Sequence, residues 1–404
     1  MKYDFDTMLE RRGKDAVAVE LIGKHASFAH APAAPREGFD AIPMWVADMN
    51  FPTLPDIGER IIERAGHPAF GYFAPTAEYY DAILRWQEAR NGVTGLEPVH
   101  IGYENGVLGC ISSALRAFTA PGDSVLLHSP TYIGFTHVLE DIGRNAALSP
   151  LVKDETGVWR MDYEDMDRRL REGHIRTAIL CSPHNPCGRV WEHRELEAAM
   201  EIFRKHDVTV ISDEIWSDIL LDGHRHIPTQ SVSDDARTRT IAVYAPSKTF
   251  NLAGLIGSYH IVYAPALRDR LRKQGRMSHY NDMNVLSMHA LIAAYSEAGM
   301  AWTDELCGVL SKNMRYAYDF VTGHFPGVTA GRPEGTYMLL LHCEDYCRAH
   351  GRTIDEVVRA GWDVGVAWQE GAPFHDPWGI RMNVAVPFAK VREAMDRLRR
   401  FVFI

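Results

Sequence analysis

Ala178-Ile179-Leu180-Cys181-Ser182-Pro183-His184-Asn185-Pro186 joins two kinds of chain in nine residues. The aliphatic run has no polar alternation, which suits a strand buried on both faces. It stops at Ser-Pro and Asn-Pro, which read as turns. The same form recurs on either side. Val125-Leu126-Leu127 leads into a polar segment ending at Tyr132, and Val208-Thr209-Val210-Ile211 leads into Ser212-Asp213-Glu214. Ile241-Ala242-Val243-Tyr244 leads into Ala245-Pro246-Ser247-Lys248, and His260-Ile261-Val262-Tyr263 is a further run. Amphipathic stretches lie between them, such as Glu195 to His206, apolar at Leu196, Ala199, Met200 and Phe203. Such alternation predicts βαβ units: an α/β fold with a mostly parallel sheet flanked by helices.

The pattern changes near Met283. Helical periodicity runs from Val285 to Tyr318, a hairpin-like stretch covers Thr336 to His342, and a charged amphipathic helix covers Ala389 to Phe401. Upstream, Phe28 to Pro55 carries five prolines and reads as an extended arm. The expected division is an arm over 1–51 that joins the small domain, a large domain over 52–285, and a smaller α+β domain over 286–404. The length of 404 residues suits two such units.

Composition narrows the function. The chain is 46% hydrophobic and 24% charged, an ordinary globular mix. A formal charge of −10 disfavours nucleic acid and anionic lipid as partners. Arg168, Arg169 and Arg171 alternate with acids and read as a solvated helix face. Six cysteines show no zinc-site spacing; Cys181 with Cys187, and Cys343 with Cys347, read as buried free thiols rather than a metal or redox site. The charged N-terminus shows no signal peptide, and Leu252 to Leu267 is too broken to span a bilayer, so a cytoplasmic, reduced setting is expected.

Ligands of open α/β sheets bind beyond the carboxyl ends of the strands. Four runs deliver Tyr132, Asn185, Asp213 and the Ser247-Lys248 pair to that edge. Each has an ordinary explanation alone: Asn185 as a turn residue, Asp213 as a helix cap, Lys248 as a loop lysine, Tyr132 as core. Asn105-Gly106 before the helical run Val107 to Phe118 adds free amides at a helix start, a setting for phosphate. An aromatic ring bearing a phosphate and an aldehyde would use all five. Lys248 would form a Schiff base, and Asp213 would pair with a ring nitrogen. Tyr132 would stack on the ring and Asn185 would bond a ring hydroxyl. Gly106, Val107 and Ser247 would hold the phosphate. That ligand is pyridoxal 5′-phosphate.

The motifs Ser182-Pro183-His184-Asn185-Pro186 with Gly188, then Asp213-Glu214, then Ser247-Lys248 resemble the fold type I, aminotransferase-like pyridoxal-phosphate enzymes, over nearly the whole chain. Pro43-Met44-Trp45-Val46-Ala47-Asp48-Met49, Phe70-Gly71-Tyr72, His226-Ile227-Pro228 and Ser247-Lys248-Thr249-Phe250-Asn251 bring it nearest to C–S β-lyases of the cystathionine β-lyase type. The resemblance implies a homodimer with shared sites, in which Tyr72 reaches the partner's cofactor phosphate. It implies that Leu108 joins the phosphate-holding turn and that Trp216 lies by the ring. Arg381 would clamp the substrate α-carboxylate, with Tyr337, Trp45, Val46 and Ala47 on the substrate side. A surface salt bridge for Arg381 and a plain strand aromatic for Tyr337 are the ordinary alternatives.

The sequence also departs from the pattern. Trp216 stands where many relatives have Tyr or His, Ile256 where many aminotransferases have a phosphate-binding Arg, and Asn50 where the lyases usually have Asp. Tyr103-Glu104-Asn105 before Gly106 is unusual too. The implied reaction is α,β-elimination from an S-substituted L-cysteine such as cystathionine, giving pyruvate, ammonia and a thiol. Transamination of an L-amino acid at the same site is the alternative. A nicotinamide-dependent enzyme is disfavoured, because no Gly-x-Gly-x-x-Gly follows a strand.

Overall fold

The computed structural model describes residues 2–24, 31–278 and 281–404. The aliphatic runs lie in one seven-stranded sheet. Its strands are β1 (Ile101–Glu104), β2 (Ser124–Ser129), β3 (Asn145–Pro150), β4 (Thr177–Cys181), β5 (Thr209–Asp213), β6 (Thr240–Tyr244) and β7 (Ser258–Ile261). Their spatial order is β1-β7-β6-β5-β4-β2-β3. The pairings from β6 across to β3 are parallel. β7 is antiparallel to both β1 and β6. The run beginning at His260 therefore departs from the βαβ series. Between β6 and β7 lies only a short 3-10 turn, Ala253–Leu255, with no crossover helix to carry the chain back across the sheet.

Period-2 geometry sorts the uniformly apolar strands onto two faces. Leu126, Ala178, Leu180 and Val210 pack with Met166, Leu170, Leu196 and Phe203 on one face. Val125, Leu127, Ile179, Ile211 and Val243 pack with Cys110, Ile111, Ala114 and Leu139 on the other. Both faces are covered, which is why the strands show no polar alternation. Helix α1 (Val107–Phe118) matches the expected run, and a helix over His193–Lys205 lies within two residues of the expected one.

The expected helix from Val285 to Tyr318 is two helices, Val285–Ala294 and α2 (Glu297–His324). Ser296 divides them. Its hydroxyl accepts the Gly299 N–H at 3.1 Å and starts a new helix. Trp302, Leu306, Leu310, Met314, Ala317 and Val321 form the buried stripe of α2. The hairpin expected over Thr336 to His342 is a single strand. A four-stranded antiparallel sheet contains β8 (Thr329–Ala330), β9 (Met338–His342), β10 (Gln369–Glu370) and β11 (Gly379–Asn383), in the order β8-β9-β11-β10. The last helix is Phe388–Phe401.

Of the expected arm, residues 28–30 lie outside the described residues. Farther on, Ile42–Pro43 pairs in parallel with Val366–Ala367. Asn383 donates through Nδ2 to the carbonyls of Val46 and Asp48 at 2.7 and 2.6 Å. These ties bring Trp45–Asp48 to the edge of the large sheet. Among the described residues no helix is long and apolar enough to cross a membrane.

Candidate active site

A cavity of about 250 Å³ opens beyond the carboxyl ends of the parallel strands. β4 supplies Cys181 and the following Asn185, β5 supplies Asp213, and the loop after β6 supplies Ser247 and Lys248. Tyr132 follows β2, Trp216 follows β5, and Ala47 enters from the arm. The start of α1 closes one end with Gly106, Val107 and Leu108. Gly106 sits at φ +81°, a backbone region open mainly to glycine. Among the described residues no side chain caps α1, so its first amides and the positive end of its dipole are available to an anion.

Electrostatics at this edge are unusual. Lys248 donates from Nζ to the Ala47 carbonyl at 2.9 Å and lies 5.5 Å from the centre of the Trp216 ring. Burial and the Arg381 guanidinium push Lys248 down to about 8, against the pull of Asp48 and Asp213. Burial pushes Asp213 up to about 7, although the Ile215 N–H at 3.1 Å and Lys248 draw it back. A buried acid and a buried amine, both moved toward neutrality, are a signature of a chemical site.

Arg381 reaches in from β11. Its guanidinium is buried, and its hydrogen bonds go to neutral oxygens: Asn185 Oδ1 at 3.3 Å, Trp45 O at 3.1 Å and Gln369 Oε1 at 2.7 Å. Its Nε is buried without a partner among the described residues, and its guanidinium carbon lies 4.3 Å from the Phe374 ring centre. A buried cation hydrogen-bonded only to neutral oxygens favours an anion able to accept from it. Tyr337 donates from its hydroxyl to Ala47 O at 3.0 Å, and its ring meets Trp216 edge-on at 4.7 Å.

The structure thus brings Gly106, Val107, Leu108, Tyr132, Asn185, Asp213, Trp216, Ser247, Lys248 and Ala47 to one cavity. Arg381, Tyr337 and Trp45 are joined to its lining by the hydrogen bonds just given, and Val46 is held through its carbonyl by Asn383. Tyr72 is fully exposed and lies outside the cavity of its own chain. Asn50 has a structural explanation. Its Nδ2 donates to Pro43 O and its Oδ1 accepts from Arg11, both at 3.3 Å, and a carboxylate could not make the first bond. Ile256 lines the phosphate-facing end at φ +44°. Gln369 and Phe374, the supports of Arg381, are not legible in the sequence; the only hint is polar Gln369 directly after the apolar Val366-Ala367-Trp368.

The arrangement fits pyridoxal phosphate. An aromatic ring would have Tyr132 and Trp216 as neighbours, Asp213 can pair with a ring nitrogen, Lys248 is an amine able to condense with an aldehyde, and the first amides of α1 can donate to a phosphate.

Fold and cavity define the class of aminotransferase-like α/β enzymes with a lysine at the sheet edge. The model of the family "Aminotransferase class I and II" matches residues 41–398. The chain belongs to that family. It is 33% identical to cystathionine beta-lyase PatB of Bacillus subtilis (strain 168), over 98% of this chain and 99% of that one. Cystalysin of Treponema denticola, whose crystal structure contains pyridoxal 5′-phosphate, superposes with a TM-score of 0.89 at 28% identity, covering 99% of this chain and 98% of that one. The pyridoxal-phosphate-bound C–S lyase of Staphylococcus hominis superposes with a TM-score of 0.88 at 27% identity, covering 100% and 99%.

Proposed function

We propose that this chain is a pyridoxal-phosphate-dependent C–S β-lyase. Its reaction is the cleavage of an S-substituted L-cysteine, such as cystathionine, with water to pyruvate, ammonia and a thiol. The observation that carries the reading is the placement of Lys248, a buried amine near neutrality, in one cavity with Asp213 and linked through Asn185 to Arg381. The likeness to named C–S lyases supports the choice of reaction.

Pyridoxal phosphate, when bound, supplies a ring that accepts the electron pair left at Cα. The chain's own residues do the rest. Arg381 binds the α-carboxylate through a planar fork of donors, held in place by Gln369 and Phe374. Asp213 keeps a proton on the ring nitrogen by offering a buried carboxylate. Lys248 Nζ takes the Cα proton, and the lowered pKa of its amine keeps it partly neutral near physiological pH. Loss of that proton and rupture of the Cβ–S bond release the thiolate, which is protonated to the thiol. Ala47 O orients the amine through its hydrogen bond, and Tyr337 braces the same carbonyl.

The working enzyme is a cytoplasmic homodimer in this reading. Residues 65–78 are exposed throughout, including Phe70, Tyr72 and Phe73, which suits coverage by a second copy. The division into an arm over 1–51, a large domain over 52–285 and a small domain over 286–404 is supported by the two main sheets, each of which falls within one of the latter ranges. Transamination is the second reading, favoured by the family match. The test is L-cystathionine with the purified holoenzyme and no amino acceptor. Pyruvate and free thiol in equal amounts are expected. Keto acid formed only when an acceptor is added would instead establish an aminotransferase.

A further inference from the structure

Immediately behind the Gly106 turn lies a buried polar cluster that the proposed reaction does not use. Glu104 ends β1, and its carboxylate is almost wholly enclosed. Oε1 lies 2.7 Å from His260 Nδ1 on the neighbouring β7, and Oε2 accepts from Asn281 Nδ2 at 2.6 Å. The Cys110 thiol, on the first turn of α1, lies within 4.8 Å of the same carboxylate. Asn281 then turns its Oδ1 to the Asn105 N–H at 3.0 Å. Gly102 is paired with His260 across the strands, and a Cβ there would lie 2.2 Å from His260 Cε1, so the imidazole can sit in this place only over a glycine.

We infer that Glu104, with His260 and Asn281, positions the phosphate-holding turn at the start of α1. The inference rests on the pyridoxal-phosphate reading. Lys248 is the only cationic side chain among the described residues lining the cavity, and Ile256 lines it beside the Gly106 turn. From this chain, phosphate binding therefore depends on neutral donors and the helix dipole, whose strength depends on orientation. Glu104 fixes that orientation from two sides. Through Asn281 it occupies the Asn105 amide before the turn, and its carboxylate packs within 4.8 Å of the Cys110 thiol on the helix after it.

Glu104, Cys110 and His260 also offer ligand atoms within 4.8 Å of one another. Burial and the Glu104 charge push the Cys110 thiol well above its usual range, so it retains its proton. This favours a hydrogen-bonded latch over a metal centre.

The test compares two ligands of the apoenzyme, pyridoxal 5′-phosphate and pyridoxal, by equilibrium titration. The wild type should bind the phosphorylated form much more tightly. Glu104→Gln should weaken that form by about 10-fold or more while leaving pyridoxal within about twofold, since a hydrogen bond to a charged group is at stake. If Glu104→Gln does not fold, Asn281→Ala, which cuts the tie to Asn105 alone, should show the same selective loss. Equal weakening of both ligands, or of neither, would overturn the inference. So would a stoichiometric metal in the purified protein that Glu104→Gln removes. A wild type that binds neither ligand would instead sink the cofactor reading itself.

Discussion

Asp213 and Glu214 are neighbours in sequence, both buried, and opposite in fate. Asp213 points with Ile211 toward the face covered by α1, and it accepts one hydrogen bond from the Ile215 N–H. Glu214 shares the other face with Ser212. It accepts from His226 Nε2 at 2.6 Å, Ser212 Oγ at 2.9 Å, Thr229 N–H at 3.0 Å and the Tyr244 hydroxyl. Burial pushes both carboxyls up, but His226 and the other donors hold Glu214 below its usual range. Asp213, with less support, rises to about 7. A satisfied buried charge holds the fold together, whereas an under-satisfied one is held ready for a ligand.

The sharpest way to break that contrast lies on the Asp213 side. Lys248→Ala should lower pyruvate release by roughly 10³–10⁴-fold or more, since it removes both the covalent anchor and the base. Steady-state assay with added cofactor checks this, and an active variant would contradict the mechanism. On the other side, Glu214→Ala should destabilise the apoenzyme by about 3–5 kcal/mol in urea unfolding, because His226 and Tyr244 lose their common partner. Stability within 1 kcal/mol of wild type, roughly the worth of an ordinary hydrogen bond, would mean that the Glu214 network is not structural. Arg381→Ala should cost about 2–5 kcal/mol in kcat/KM, read mainly in KM for the amino acid.

Asp213→Asn separates the two residues most cleanly by pH. The folded pKa of Asp213 is raised, so its contribution to stability is full below about 4 and is lost as pH rises through about 7. Asn stays neutral. The apo variant should therefore gain on wild type as pH goes from 4 to 8, by on the order of 4 kcal/mol, while activity falls. A pH-independent difference would show that Asp213 does not carry the cost of burial. The smallest effect concerns Lys248. Its base function should appear as an acid limb in kcat centred near 8, and loss of the Arg381 charge should move that limb to higher pH.

Most of the cavity was legible because each key side chain directly follows an aliphatic run. Asp213 ends β5, and Asn185 and Lys248 each sit four residues past β4 and β6, so strand and site were read together. Gly106 was legible for the same local reason. What stayed hidden depends on pairing between distant segments. Glu104 and His260 lie 156 residues apart and meet only because β7 runs antiparallel to β1, while an apolar run carries no sign of its direction. Arg381 was visible through its motif, but Gln369 and Phe374, which hold it, come together only across β10 and the turn beyond it. Ser296 looked like one polar residue in a helical run, yet its hydroxyl ends one helix and begins the next.

The central claim is that Lys248 is the amine that carries the cofactor. Borohydride reduction of the holoenzyme, followed by peptide mapping, tests it directly. A pyridoxyl group on Lys248, with loss of the visible absorption band, is the expected result. A label on any other lysine, or none after saturation with pyridoxal phosphate, would contradict the account.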